Sequence, residues 1–278
     1  MKKDEKLFAV FGNPIEHSQS PNIHSLFAKQ TNISILYHSQ CVDFDRFFDC
    51  AKDFFLSGGA GLNVTVPFKT QAFEFSDEAS QRAINAGAVN TLISKKGHIF
   101  GDNTDGVGLI VDLDKNLKWK LKDADILVIG AGGATRGIIE PLLCADPSSL
   151  TISNRTLSKG ENLVSVFSAV AKNANCQLKA LPMNNLDGNF DIIINATSAS
   201  LEGRLPDLDP SIFDGSACYD LMYSSAPTRF LDWARKNGAA KYSDGLGMLV
   251  EQAAESFYLW HGVRPETEVV IQKIRANI

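Results

Sequence analysis

Along the chain, short runs of Val, Ile, Leu and Phe alternate with segments whose apolar positions recur at helical spacing, a pattern of strands laid parallel with helices across their faces. "LFAVFG" reads as a first strand, and "SPNIHSLFAKQ" as a helix with Ser20 as its cap and Pro21 in its first position. "ILYHSQCV" and "GLNVTVP" read as strands on either side of the amphipathic helix "FDRFFDCAKDFFL", and "AVNTLISKKGHIFGDN" as a hairpin turning at Lys96-Gly97. A helix starts in "DGVGLIVDLDKNL". Beyond it, "ADILVIGAGGATRGIIEPLL" is a strand, a glycine turn and a helix. "SLTISNRT", "FDIIINATS" and "GSACYDLMY" follow as strands of the same sheet, separated by the helices "KGENLVSVFSAVAKN" and "APTRFLDWARKN". The stretch from "GLGMLVEQAAESFYLWHG" to "PETEVVIQKIRANI" is helical.

The glycine turn falls near the middle of the chain, so the first 105 residues or so form a separate α/β domain. No Pro/Gly/Ser linker separates the halves, and the helix "DGVGLIVDL" is expected to run directly between them. A chain of 278 residues is long enough for two cores. Its 27 basic and 32 acidic residues, a net charge of −5 without long like-charge runs, give no nucleic-acid surface. Five cysteines, far apart and never in a C-x-x-C pair, argue for free thiols in a reducing compartment and against a disulfide framework or a zinc site. The apolar run after "MKKDEK" stops early at Gly-Asn-Pro, and no stretch approaches the roughly 20 apolar residues of a membrane span. A cytoplasmic protein that does not use a membrane is expected.

In "ILVIGAGGATRG" a strand runs into Gly130, Ala131, Gly132 and Gly133 and then into a helix. One glycine permits the tight turn, another lets backbone N–H groups approach a pyrophosphate, and the helix N-terminus adds positive partial charge. Thr135 stands where the third glycine of G-x-G-x-x-G belongs, so Ala134 is expected to take the small helix-packing role. A Rossmann-like dinucleotide domain follows. At the end of the next strand, where NAD enzymes place an acid for the ribose 2′-hydroxyl, this chain has Asn154, Arg155 and Thr156, with Lys159 one turn later. A guanidinium suits a 2′-phosphate and no carboxylate repels it, which favours NADP over NAD; a solvated, capped helix start is the plainer alternative.

"NVTVPFK" ends a strand in Pro67, Phe68 and Lys69. A lysine after a strand ordinarily points into water. Here "GDNTDG" places Asp105 just before the connecting helix, where the first domain meets the cofactor domain. A cleft there is where a hydride donor and a substrate should meet. An ammonium can donate a proton to a carbonyl oxygen as hydride reaches the carbon, and a nearby carboxylate can hold it. His17 and His24 have no metal-spaced partners and read as structural.

Taken in order, "GNPIEHSQSPNIHS", "NVTVPFK", "GAVNT", "GDNTDG", "GAGGATRG", "NRT" and "DGLGMLVEQAA" closely resemble the shikimate dehydrogenases, NADP-linked enzymes that interconvert 3-dehydroshikimate and shikimate, over nearly the whole chain. The resemblance implies that Lys69 and Asp105 are the catalytic pair. It implies that Ser18, Ser20, Thr65, Asn90, Asp105, Tyr223 and Gln252 hold the substrate, that Leu221 and Gly245 belong with the glycine turn at the cofactor, and that the last helices fold back onto the first domain. The implied organisation is a substrate-binding and catalytic domain over 1–105, completed by about 247–278, and an NADP-binding domain over 106–246. Read without any chemistry, Ser20 can be only a helix cap and Asn90 only a turn residue.

Three departures from the family pattern are visible: Leu221 in place of Met in "YDM-x-Y", "ATSAS" without the final glycine of "ATSSG", and Lys159 in place of an arginine. None removes a catalytic group. Two other readings stay open, a quinate/shikimate dehydrogenase of broader choice using NAD and a non-catalytic NADP-binding sensor. Retention of both Lys69 and Asp105 weighs against the sensor. Glycines near 105–108 and 245–247 suit hinges or, equally, helix starts and close packing. One sequence does not set the oligomeric state, and a homodimer is among the open assemblies.

Overall fold

The computed structural model describes residues 5–186, 188–197 and 205–278. The end of "ATSAS" lies outside them. The chain forms two compact units, Met1–Gly108 with Val250–Asn277, and Leu109–Leu249 with Ile278.

The first unit runs β1 (Lys6–Gly12), α1 (Ser20–Thr31), β2 (Ile35–Cys41), α2 (Phe47–Leu56), β3 (Gly59–Val64), α3 (Lys69–Phe75), β4 (Glu78–Ala79), α4 (Gln81–Ala86), β5 (Thr91–Lys95), β6 (His98–Asp102) and the start of α5 (Asp105–Val111). Its sheet has the order β2-β1-β3-β5-β6-β4. β1 lies parallel to β2 and β3, but β5 is antiparallel to both β3 and β6. The sheet is therefore mixed: the hairpin read from "AVNTLISKKGHIFGDN" forms as β5 and β6 beside the parallel strands. The cause is the two-residue turn at Lys96 and Gly97, whose φ of 52° and 86° returns the chain directly alongside itself.

Two local expectations also change. Ser20 does not cap α1: the cap position is Gln19, no side chain caps the helix, and Pro21 in the first turn needs no N–H partner. The strand expected to reach Pro67 stops at Val64, because Pro67 has no N–H for a ladder and the chain turns through Thr65–Phe68 instead.

The second unit begins within α5, which passes into a π-helical turn at Asp112–Asn116. It continues through β7 (Asp125–Ile129), α6 (Gly133–Leu143), β8 (Ser149–Ser153), α7 (Leu157–Asn173), β9 (Gln177–Leu181), β10 (Ile192–Asn195), β11 (Ala217–Asp220), α8 (Arg229–Lys236) and β12 (Lys241–Asp244). All these strands are parallel, in the order β12-β11-β10-β7-β8-β9. That is the doubly wound order, which reverses direction between β7 and β10. Both faces of β7 are covered: Ile126 and Val128 pack with Ile138, Leu142 and Phe167, while Leu127 and Ile129 pack with Ile193, Phe213 and Phe230. Such burial on both sides explains its unbroken apolar run.

The chain closes with α9 (Leu246–His261) and α10 (Glu268–Asn277). Most of α9 belongs to the first unit, where Trp260 packs on Phe8 with ring centroids 4.7 Å apart and Phe257 on Phe27 at 5.7 Å. Burying a phenylalanine completely, as for Phe27 and Phe257, stabilises by about 1.5–3 kcal/mol each. That is enough to hold this C-terminal helix on the N-terminal sheet. Among the described residues no helix is long and apolar enough to cross a membrane.

Candidate active site

Lys69 opens α3 directly after the turn that ends β3, in which Thr65 N–H donates to the Phe11 carbonyl (2.9 Å) and Phe68 N–H to that of Thr65 (3.0 Å). The Lys69 carbonyl accepts from Val89 N–H at 2.8 Å, tying it to the segment before β5. Asp105 opens α5, three residues past the end of β6. Asn103 sets the approach: its amide donates to the Ala88 carbonyl (3.0 Å) and its side-chain oxygen accepts from Asp105 N–H (3.2 Å). Two short loops at one end of the sheet thus bring the pair together, and the Lys69 ammonium donates to Asp105 Oδ2. The side chains are 19% and 9% exposed, so the pair is largely withdrawn from water yet reachable.

Asn90, just before β5, holds the other carboxylate oxygen, its Nδ2 donating to Asp105 Oδ1 at 2.8 Å. Its orientation is dictated by the donors around its Oδ1, which accepts from Thr104 N–H (2.9 Å) and from the Thr91 hydroxyl (2.9 Å). With the oxygen so occupied, the NH₂ must face Asp105. Gln252, reaching over from α9, accepts from Asn90 Nδ2 at 3.3 Å.

Behind this layer is a second set of polar side chains. Tyr37 OH donates to Asn63 Oδ1 (2.8 Å), and Asn63 Nδ2 lies 3.2 Å from each of the Asn90 carbonyl, the Thr91 hydroxyl and the Ser256 hydroxyl. Ser20 is buried near the Tyr37 phenol, and Ser18 Oγ accepts from Ser20 N–H at 3.3 Å. Burial pushes the phenol pKa up, so Tyr37 remains a donor.

The structure therefore brings Lys69, Asp105, Asn90 and Gln252 together and sets Ser20, with Ser18 bonded to its N–H, near Tyr37 of the layer behind them. Thr65 stands in the turn leading to Lys69, its methyl group against Gly12, where a Cβ would collide with it. Sequence reasoning passed over Tyr37, Asn63, Thr91, Thr104 and Ser256. Asn63 and Thr91 had a signal of sorts, polar residues inside strands that are otherwise buried. His24 is fully buried and stacks on Tyr37 with ring centroids 4.4 Å apart; burial lowers its pKa to about 3, so it is neutral. His17 is exposed.

In the second unit, β7 ends at Gly130, whose φ of +112° suits glycine and whose missing Cβ leaves room for the Ala196 carbonyl and Thr197. Gly132 and Gly133 are exposed, with open space where a Cβ would stand, and no side chain caps α6. An uncapped helix N-terminus with bare backbone before it, at the reversal point of a doubly wound sheet, fits a pyrophosphate. One detail differs from expectation. Ala134 does not pack the helix onto the sheet but is exposed, because the helical phase turns Thr135 and Gly137 inward; the Thr135 hydroxyl bonds back to the Gly130 carbonyl at 3.0 Å.

At the end of β8, Asn154 Nδ2 donates to the Thr156 carbonyl (2.8 Å) and shapes a turn from which Arg155 and Lys159 extend exposed, with no ion-pair partner among the described residues. Two unpaired cations suit a phosphate. Leu221 and Tyr223 follow β11. That loop is held by the buried Asp220, whose Oδ1 accepts from Met222 N–H (3.1 Å) and Asn195 Nδ2 (3.0 Å) and whose Oδ2 accepts from the Thr228 hydroxyl (2.6 Å). Burial raises the Tyr223 pKa. A side chain at Gly245 would overlap the Leu221 carbonyl, and one at Gly247 the Asp112 carboxylate, so close packing accounts for both glycines.

Comparison with known proteins bears on the same regions. Residues 10–92 match the model of the shikimate dehydrogenase substrate binding domain, 112–202 that of shikimate/quinate 5-dehydrogenase, and 245–275 that of the shikimate 5′-dehydrogenase C-terminal domain. The chain is 52% identical to shikimate dehydrogenase (NADP(+)) of Vibrio cholerae, over 98% of this chain and 96% of that one. Among solved structures, an Ael1 enzyme from Pseudomonas putida superposes with a TM-score of 0.90 at 42% identity, covering 96% of this chain and 97% of that one. Shikimate 5-dehydrogenase from Thermus thermophilus, in complex with NADP(H) and shikimate, superposes at 0.87 with 30% identity, covering 98% and 100%. With half of its residues shared with such a relative over nearly full length, and a domain model matched on each side of α5, the chain belongs to the shikimate dehydrogenase family.

Proposed function

We propose that this protein catalyses the reversible NADPH-dependent reduction of 3-dehydroshikimate to shikimate, a step toward aromatic amino acids, with Lys69 giving and taking the proton. The observation that carries the assignment is the Lys69–Asp105 ion pair, held on its far side by Asn90 and bordered by Gln252. Bound NADPH supplies the hydride. The Lys69 ammonium donates the proton to the carbonyl oxygen as it becomes a hydroxyl and, in the reverse direction, neutral Lys69 accepts it. Asp105 keeps the ammonium aimed, and Asn90 keeps Asp105 from turning away. Ser18, Ser20, Thr65, Asn90, Tyr223 and Gln252 bind the carboxylate and hydroxyls of the substrate, for which short hydroxyl and amide groups are suited.

Cofactor residues in this reading are Gly130, Ala131, Gly132, Gly133 and Ala134 for the pyrophosphate, Asn154, Arg155, Thr156 and Lys159 for the 2′-phosphate, and Leu221 and Gly245 toward the nicotinamide. The NADP(+) in the name of the Vibrio cholerae relative supports this choice of nucleotide. The test is direct: protein mixed with shikimate or quinate and with NADP or NAD, followed by the absorbance of reduced cofactor. Turnover of shikimate with NADP is expected to dominate; preference for quinate with NAD would replace this reading with the broader dehydrogenase, and no turnover with any pair would leave the binding protein.

A further inference from the structure

The site of the first unit is built from segments far apart in sequence: the end of β6, which delivers Thr104 and Asp105, and α9, which delivers Gln252. They touch directly through weak contacts of the Thr104 hydroxyl, 3.4 Å from Gln252 Oε1 and 3.3 Å from the Ser256 hydroxyl. Asn90 bonds both from within the site, and one charged side chain grips both from outside it. Arg82, in α4, donates from Nε to Asp102 Oδ1 (2.6 Å) and from Nη2 to Asp102 Oδ2 (2.8 Å), a two-pronged grip on the last residue of β6. The same Nη2 donates to Glu255 Oε1 at 3.1 Å. Glu255 is three residues past Gln252 on α9.

The partners are built around this grip. Asp102 is 3% exposed and also accepts from the Ser80 hydroxyl (2.5 Å) and from Asn103 N–H (2.7 Å), the residue whose side chain orients Asp105. Glu255 is 8% exposed, and Arg264, beyond the end of α9, donates to its other oxygen. The charges alternate Asp102, Arg82, Glu255, Arg264. Without Arg82, two buried carboxylates would lose their shared cation and repel each other, one on each of the segments that form the site.

We propose that Arg82 is a positioning residue for the reaction: its guanidinium staples the end of β6 to α9 and so sets the spacing between the Asp105–Lys69 pair and Gln252. The proposal rests on the function assigned above. A lysine cannot replace the fork, since a single ammonium does not hold both Asp102 oxygens and Glu255 in one plane.

The experiment compares wild type with Arg82→Gln, Arg82→Lys and Glu255→Gln, measuring KM for shikimate and for NADP, kcat, the melting temperature, and amide exchange over 103–105 and 252–256. Arg82→Gln is expected to raise the shikimate KM and lower kcat so that kcat/KM falls by about 10²-fold, the loss that a misplacement of roughly 1 Å brings, with the NADP KM within about twofold of wild type. Arg82→Lys should recover part of that loss. Glu255→Gln, which keeps the Asp102 grip and so keeps a folded protein should Arg82→Gln fail to fold, should speed exchange over 252–256 more than over 103–105. Shikimate kinetics within twofold of wild type in folded Arg82→Gln, or in Arg82→Lys and Glu255→Gln together, would overturn the proposal even if the melting temperature dropped. Wild-type protein that does not turn over shikimate would overturn the assigned function instead; the staple is then judged by exchange, and unchanged exchange over both segments in the variants would overturn it.

Discussion

His24 makes the stability of the first unit depend on pH in a way that can be worked out. Its ring is fully buried against Tyr37, and burial lowers its pKa to about 3 from the ordinary 6.5. The folded pKa lies below the unfolded one, so the unfolded chain binds the extra proton first. The stabilising contribution is complete above pH 6.5 and is lost as pH falls toward 3. Each pH unit in that window removes about 1.4 kcal/mol, so moving from pH 7 to pH 5 should remove about 2 kcal/mol through this one residue. His261, whose pKa burial lowers to about 4, acts in the same direction, more weakly because it is partly exposed. His24→Phe keeps an aromatic ring on Tyr37 and removes the titration. Urea titrations at pH 7 and pH 5, read by amide exchange in α1 so that they report the unit holding His24, should show wild type losing about 2 kcal/mol more than the variant over this interval. All other titrating groups cancel in that difference. Equal pH dependence in the two proteins, to within about 0.5 kcal/mol, would refute the reasoning.

Lys69→Ala should lower kcat by about 10²–10⁴-fold while leaving shikimate affinity, measured calorimetrically without cofactor, largely intact, because a proton donor acts chiefly in the transition state; a variant within a few-fold of wild type would remove Lys69 from the mechanism. Arg155→Glu should raise the KM for NADP and ease discrimination against NAD, since a carboxylate repels the 2′-phosphate and can accept from a ribose hydroxyl, and a wild-type preference for NAD would contradict the phosphate site. Gly247→Ala, which forces a methyl into the Asp112 carboxylate, should destabilise by about 1–3 kcal/mol in thermal or urea unfolding, whereas an unchanged melting temperature would mean that the backbone there yields freely.

The elements that the pattern of the chain announced are those with an unambiguous period or a strong apolar run. Ile126–Ile129 and Ile192–Ile194 are buried on both faces, and α2 and α7 carry clear apolar stripes. The elements passed over are short or at sheet edges. β9, "QLKAL", and β12, "KYSD", lie at opposite edges of their sheet with few buried side chains, and α4 is six residues long. Edge strands need fewer apolar residues, so their pattern is faint. The antiparallel pairing of β5 with β6 was legible in Lys96-Gly97, but its pairing with β3, far off in sequence, was not.

Chemistry divided along the same line. Lys69, Asp105, the glycine turn and the basic residues after β8 stood out in the sequence as candidates, because each depends on a charge or a backbone requirement within a few residues of chain, and the run of motifs was enough to point to the family. The partners of those residues were not. Arg82 reaches Glu255 across 173 positions, Asn63 reaches Ser256 across 193, and Asn90 reaches Gln252 across 162. No local pattern marks such a pair: an arginine in a short polar helix and a serine in an apolar one look the same whether they face water or each other. Only when α9 is folded back onto the first sheet does excluding water leave these groups no partners but one another, and their hydrogen bonds then choose which way each amide and carboxylate points.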